Sequence, residues 1–198
     1  MNFLFWRIAT FTALLIPLAL LLYGFYSDNL GANPVEKLTH ETGKWALICL
    51  LLSLTITPAR HISGYKKFML LRRMLGLYAF FYANLHFLIY WIFDQSLSLL
   101  YLWDDIADRP YITVGFSAWL LLLPLAVTST NGWRKRLARN WLRLHKLVYI
   151  IALLALIHFI WMIRADYAEV IVYGAYLALL LAFRLVHTYL PGLRSKHS

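Results

Sequence analysis

Acidic residues are scarce in this chain. Nine Asp and Glu stand against nineteen Lys and Arg, and only 14% of its 198 residues are charged. So little charge excludes a disordered, solvated tail. Cysteine occurs once, at Cys49 inside an apolar run, so no internal disulfide forms and the thiol reads as a small packing residue. No glycine-rich phosphate loop follows a strand pattern, which excludes a dinucleotide-binding domain and direct hydride uptake from a nicotinamide. Neither an internal repeat nor a soluble domain is apparent. What the chain has in quantity is apolar side chain: 62% of residues are hydrophobic and 17% aromatic. A soluble domain of this length would not carry such long apolar runs.

A helix needs about 20 apolar residues to cross a bilayer, with about 17 as the lower limit. Six segments meet or approach that length, at roughly 8–26, 44–60, 74–93, 111–128, 146–163 and 168–190. The expected fold is therefore all-α, a polytopic membrane protein forming one six-helix transmembrane bundle over residues 1–198. The second span is expected to stop at Thr57-Pro58, because proline lacks an amide proton and clashes with the preceding turn. Pro17 and Pro124 fall inside spans, where neighbouring helices compensate a freed carbonyl. The first apolar run lacks a strong basic leader and a small-residue cleavage site, so it reads as a retained span rather than a signal peptide.

The net charge of +10 would suit a nucleic-acid partner, but its distribution points to topology instead. Arg7, Arg60, Lys66, Lys67, Arg72, Arg73, the run from Arg134 to Lys146, Arg184, Arg194 and Lys196 fall on one side of the spans. Only Lys37, Lys44, Arg109 and Arg164 fall on the other, together with every acidic residue. The positive-inside rule then places both termini in the cytoplasm and the acidic side outside. Trp6, Trp45, Trp91, Trp133, Trp141 and Trp161 sit near span ends, as interfacial anchors do.

Against this apolar background three histidines stand out: His86 and His158, deep in the third and fifth spans, and His145 at the inner edge of the fifth. A neutral imidazole in a bilayer is costly unless something binds it. Both spans run from inside to outside. His86 and His158 lie 12 and 13 residues along them, at depths of about 18 and 20 Å for a rise of 1.5 Å per residue. Two imidazoles at matched height on parallel helices, with no carboxylate near, suit the axial positions of a haem iron. His145 lies about 220° round the helix from His158, so the two do not share a face. A second haem at the inner surface would need another ligand, with His61 and His187 at suitable depth. Arg72 and Arg73 are the first candidates to pair with haem propionates or a flavin phosphate. Tyr78, Tyr82, Tyr90 and Asn84, near His86 in sequence, read as packing residues.

Four stretches carry a resemblance to a known family. They are LTITPARHI, LLRRMLGLYAFFYANLHFLIY, PLAVTSTNGWRKRLARNWLRLHKLVY, and the His158-Phe159 pair. Over essentially its whole length the chain resembles the MsrQ (YedZ) family, within the ferric-reductase-like transmembrane superfamily that also holds NADPH oxidases and metalloreductases. The resemblance implies a haem-binding subunit of a bacterial methionine sulfoxide reductase system in the inner membrane. It implies haem ligation by the residues matching His86, His145 and His158, and FMN as a further cofactor. Electrons would come from a cytosolic flavin reductase or the quinone pool and pass to MsrP, a periplasmic molybdopterin enzyme that repairs oxidised envelope proteins. The partner, not this chain, would reduce the sulfoxide. One departure stands: NADPH oxidases pair histidines along both helices, whereas the residue 14 positions before His86 is Arg72. One haem b is expected, with a second left open. The rival readings are a quinol-linked or ferric-reductase-like carrier of another pathway, a cofactor-free scaffold, and a small transporter with proton- or metal-binding histidines.

Overall fold

A computed structural model describes residues 3–163 and 167–189; Arg164, Asp166, Arg194 and Lys196 of the charge argument lie outside that range. Every regular element described is helical. In chain order they are α1 (Phe3–Tyr26), α2 (Pro34–Ser63), a 3-10 turn (Lys66–Phe68), α3 (Met69–Ile89) continued by a π turn (Tyr90–Asp94), α4 (Leu99–Asp108), α5 (Pro110–Val127), α6 (Asn131–Leu144), α7 (Leu147–Met162) and α8 (Ala168–Tyr189). Five of these helices are long and apolar enough to cross a membrane, or up to six if α6 and α7, bent by 50° at their junction, form one span.

Two boundaries of α2 depart from expectation. The helix does not stop at Thr57-Pro58; it runs through Pro58 to Ser63 and ends on Gly64, whose φ of 71° suits the left-handed cap and whose N–H donates to the Arg60 carbonyl at 3.0 Å. Proline removes one ladder bond, and a membrane helix survives that loss. At its other end α2 begins about three turns before residue 44. The Asn33 side chain accepts from the Glu36 N–H at 3.2 Å and Pro34 occupies the first turn, so a polar stretch folds as helix. Pro17 and Pro124 lie within α1 and α5 without ending them.

The loops also hold more helix than expected. Ser98 caps α4 by accepting from the Tyr101 N–H at 3.3 Å, and Thr130 caps α6 by accepting from Trp133 at 3.4 Å. The basic α6 is not smooth: Ala138 sits at φ 45°, a break inside the helix.

The core forms where α2 packs along α3 and α5 along α7, with α8 against α2 and α7. Cys49, Tyr82, Ile151 and Leu177 are its most enclosed members. Cys49 is thus a packing residue. Tyr78 and Tyr82 fasten α3 to α1 by donating to the carbonyls of Phe11 and Leu14 at 2.9 and 2.7 Å. At one end of the bundle lie Asp28, Glu36, Glu41 and the aspartates of α4; at the other lie Arg60, Arg72, Arg184 and the arginines of α6.

The α2–α3 and α5–α7 hairpins carry matching residues at an interval of 72 positions: Gly43 and Gly115, His86 and His158, Phe87 and Phe159, Ala46 and Ala118, Ala83 and Ala155. Apolar helices match one another by chance almost everywhere, so sequence comparison alone buries such a signal.

Candidate functional site

The acidic end of the two hairpins holds the site. His86 projects from the last turn of α3 and His158 from just before the last turn of α7. His86 Nδ1 donates to the Thr39 carbonyl of α2 at 2.8 Å, and His158 Nδ1 donates to the Tyr111 carbonyl of α5 at 2.7 Å. In both cases donor and acceptor are 47 positions apart. A carbonyl oxygen only accepts, so each Nδ1 carries the proton and each Nε2 keeps its lone pair. The same tautomer is fixed twice.

One helical turn beyond each acceptor comes a glycine. A Cβ built on Gly43 would lie 3.0 Å from His86 Nδ1, and one on Gly115 only 2.7 Å from His158 Nδ1 and 2.8 Å from its Cε1. Each imidazole thus brings its Nδ1–Cε1 edge against a helix backbone that glycine leaves open. The two rings face each other with centres 6.0 Å apart and planes at 76°. A metal–imidazole bond of about 2.0–2.1 Å on each side, with the reach from nitrogen to ring centre, gives about this separation. The donor set therefore fits an iron held by two neutral imidazoles, each oriented by a second hydrogen bond.

Aromatic side chains wall one flank. Phe87 stacks on Trp119 at 4.5 Å and lies 6.0 Å from Trp91, while Trp119 Nε1 donates to Asn84 Oδ1 at 3.2 Å. Trp91 Nε1–H is enclosed without a partner among the described residues. Beyond the ring pair, Tyr90 donates a short hydrogen bond to Asp105, and Gln95 Nε2 donates to the same carboxylate at 3.0 Å. Arg109 completes the cluster at 2.9 Å from Asp105, whose charge raises the arginine above its ordinary pKa. These contacts lock α4 and the π turn over the site.

The basic end is different. His145 lies in the break between α6 and α7, stacked on Trp141 at 4.1 Å, with its Nε2 3.1 Å from the Thr128 hydroxyl. Burial, and secondarily the Arg72 charge, holds its pKa below the ordinary histidine value. His61 and His187 approach one another at 5.3 Å between ring centres. Arg72 turns into a cavity at this end, whereas Arg73 is exposed. The structure thus joins His86 with His158 and His61 with His187, and seats His145 on Trp141 and Thr128. Thr39, Gly43, Tyr111 and Gly115 were invisible to sequence reasoning. The one signal that points to them is the 72-residue interval they share with the histidines.

Comparison with known proteins finds relatives over most of the chain. The family described as "Ferric reductase like transmembrane component" matches residues 42–156. A Xanthomonas campestris pv. campestris protein is 50% identical over 184 residues, covering 90% of this chain and 84% of its own length. One from Rhodospirillum rubrum is 47% identical over 193 residues, covering 97% and 91%. One from Xanthomonas axonopodis pv. citri is 51% identical over 178 residues, covering 87% and 82%. All three are named protein-methionine-sulfoxide reductase heme-binding subunit MsrQ. No solved structure matches the chain.

Proposed function

Because the chain belongs to the ferric-reductase-like transmembrane family, among its MsrQ heme-binding subunits, we propose that it carries a b-type haem in the bacterial inner membrane and passes electrons to a periplasmic methionine-sulfoxide reductase. Sulfoxide reduction belongs to that partner. In the finer reading the haem iron is held by His86 and His158. One observation carries it: two imidazoles on separate helices, each with Nδ1 bonded to a carbonyl, stand 6.0 Å apart with their Nε2 lone pairs free.

Haem supplies a one-electron couple when bound, which this chain's side chains do not. The chain's own residues do the holding. Thr39 and Tyr111 fix the tautomer and raise the basicity of each imidazole. Gly43 and Gly115 admit the rings. The Phe87–Trp119 wall keeps water from the flank. A six-span bundle with α7 as its fifth crossing, and cytoplasmic termini, would set the basic end inward. Electrons would then enter there, from a cytosolic flavin reductase or the quinone pool, and leave at the acidic end towards a molybdopterin partner. A second haem at the basic end would draw on His145. FMN rests on the resemblance alone; Arg72, of the two arginines, is the one turned into a cavity.

The test is a reduced-minus-oxidised spectrum with haem quantification on the purified chain. The expected result is a b-type signal that His86→Ala and His158→Ala each remove. A colourless wild-type protein would overturn the reading in favour of a scaffold. Mixing the reduced chain with a periplasmic methionine-sulfoxide reductase and its substrate should reoxidise the signal. Failure to do so would leave a quinol-linked or ferric-reductase-like carrier of another pathway.

A further inference from the structure

At the basic end, α2, α3, α7 and α8 enclose a cavity of about 380 Å³ that the histidine pair does not use. Arg60, Arg72 and Arg184 line it, together with His61, His187 and Tyr149. Among the described residues no carboxylate lines it. Arg72 of α3 and Arg184 of α8 line the same cavity, and the Arg184 guanidinium lies 5.0 Å over the Tyr149 ring. The Tyr149 hydroxyl is enclosed and has no hydrogen-bond partner among the described residues.

This is a site rich in donors and cations and poor in acceptors. An enclosed hydroxyl without a partner is costly, and like charges brought together are more so. A ligand with several anionic oxygens relieves both. Guanidinium is the group best shaped for such oxygens, because its fork of N–H donors meets a phosphate bidentately. The remaining wall is mainly apolar, built from leucine, methionine and phenylalanine side chains of α2, α3 and α8. On α8 the neighbouring Leu179 and Leu185 are 68% and 58% exposed. In a membrane those side chains face lipid, so a ligand can slide in from the bilayer without crossing water.

We propose that this cavity binds a phosphate ester carried on an apolar body, and that its occupant is an anionic phospholipid: the phosphate on Arg60, Arg72 and Arg184, the Tyr149 hydroxyl donating to one oxygen, and an acyl chain along the leucines. Basic pockets between membrane helices favour such headgroups. FMN carries the same phosphate and is the competing source. The site stands whether or not the histidine pair holds iron.

The test uses the full chain in neutral detergent, with phosphatidylglycerol, phosphatidylcholine, FMN and inorganic phosphate as separate probes, read by native mass spectrometry and by FMN fluorescence. Phosphatidylglycerol should be retained in preference to phosphatidylcholine at one saturable site. Arg72→Gln and Arg184→Gln should each weaken it roughly tenfold or more, as loss of a charge-assisted contact does. Tyr149→Phe, which keeps the ring and the fold, should weaken it less. Arg134→Gln, on exposed α6, should change nothing. Equal retention of both lipids, or binding insensitive to the arginine variants, overturns the proposal. Saturable FMN binding that the same variants remove and phosphatidylglycerol does not displace overturns the lipid as occupant.

Discussion

The two hairpins repeat at one end and diverge at the other. At the acidic end, α2–α3 and α5–α7 carry the same device: a carbonyl acceptor, a glycine one turn on, and a histidine laid against both. At the basic end the 72-residue interval pairs His145 with Arg73. The first is stacked and hydrogen-bonded, the second exposed. The α2–α3 turn is short, whereas α6 with its break at Ala138 connects α5 to α7. Two copies of a structure drift wherever nothing holds them in common. Here what remains in common is the set of atoms needed to present two imidazoles to one centre.

Equivalence is therefore the first thing to break. On the proposed reading His86→Ala and His158→Ala should be equally damaging, since each removes one of the two imidazoles that would hold the iron. Haem content and the low-spin b-type spectrum measure this. A variant pair in which one loss is tolerated would show that the halves are not partners.

The glycines sharpen the comparison, because here the halves differ in degree. Gly115→Ala forces a methyl within 2.7 Å of His158, and Gly43→Ala places one 3.0 Å from His86. Neither ring can retreat without stretching its bond to a carbonyl. Overpacking of this kind costs about 1–3 kcal/mol. Gly115→Ala should lower haem occupancy and shift the reduction potential, and Gly43→Ala should do the same to a smaller extent. Equal potentials in both variants and wild type would remove the glycines from the haem site.

His145→Ala tests the divergent end. Its ring is held by Thr128 and Trp141, not by His86 or His158. The spectrum of the pair should survive, with a loss of about 1 kcal/mol in thermal stability for the hydrogen bond. Complete loss of the b-type signal would attach His145 to the same centre.

Much of this was legible in the residues. Apolar run length located the long helices, charge asymmetry separated the two ends, and the depth of His86 and His158 within their helices matched the level at which the structure brings them together. The acceptors were not legible, and the reason is specific. Thr39 and Gly43 lie in the polar first turns of α2, beyond the apolar stretch that marks a span, and helix forms there because Asn33 and Pro34 start it. Hydropathy does not see capping. Tyr111 and Gly115 fall within an apolar helix where neither residue type is unusual, and backbone carbonyls have no sequence signature. The helix α6 was hidden for the converse reason: it is too basic to look like a span, and its amphipathic period reads as loop when only apolar runs are counted.

The smallest effect is expected where α8 meets the first hairpin. Lys44 of α2 lies 3.0 Å from Glu169 of α8 and 3.4 Å from Glu41, so it bridges two carboxylates at the acidic end. The second hairpin has Phe116 at the position equivalent to Lys44 and makes no such bridge. Glu169 is half exposed, and a pair of that kind contributes less than about 1 kcal/mol. Glu41 also keeps Lys44 partnered when Glu169 is replaced. Glu169→Gln should therefore lower thermal stability slightly, by an amount that shrinks as salt is raised, and leave the haem spectrum unchanged. A spectral change would mean that α8 holds α2, and with it the Thr39 carbonyl, in register for His86; the two hairpins would then be unequal in what supports them as well as in what they have lost.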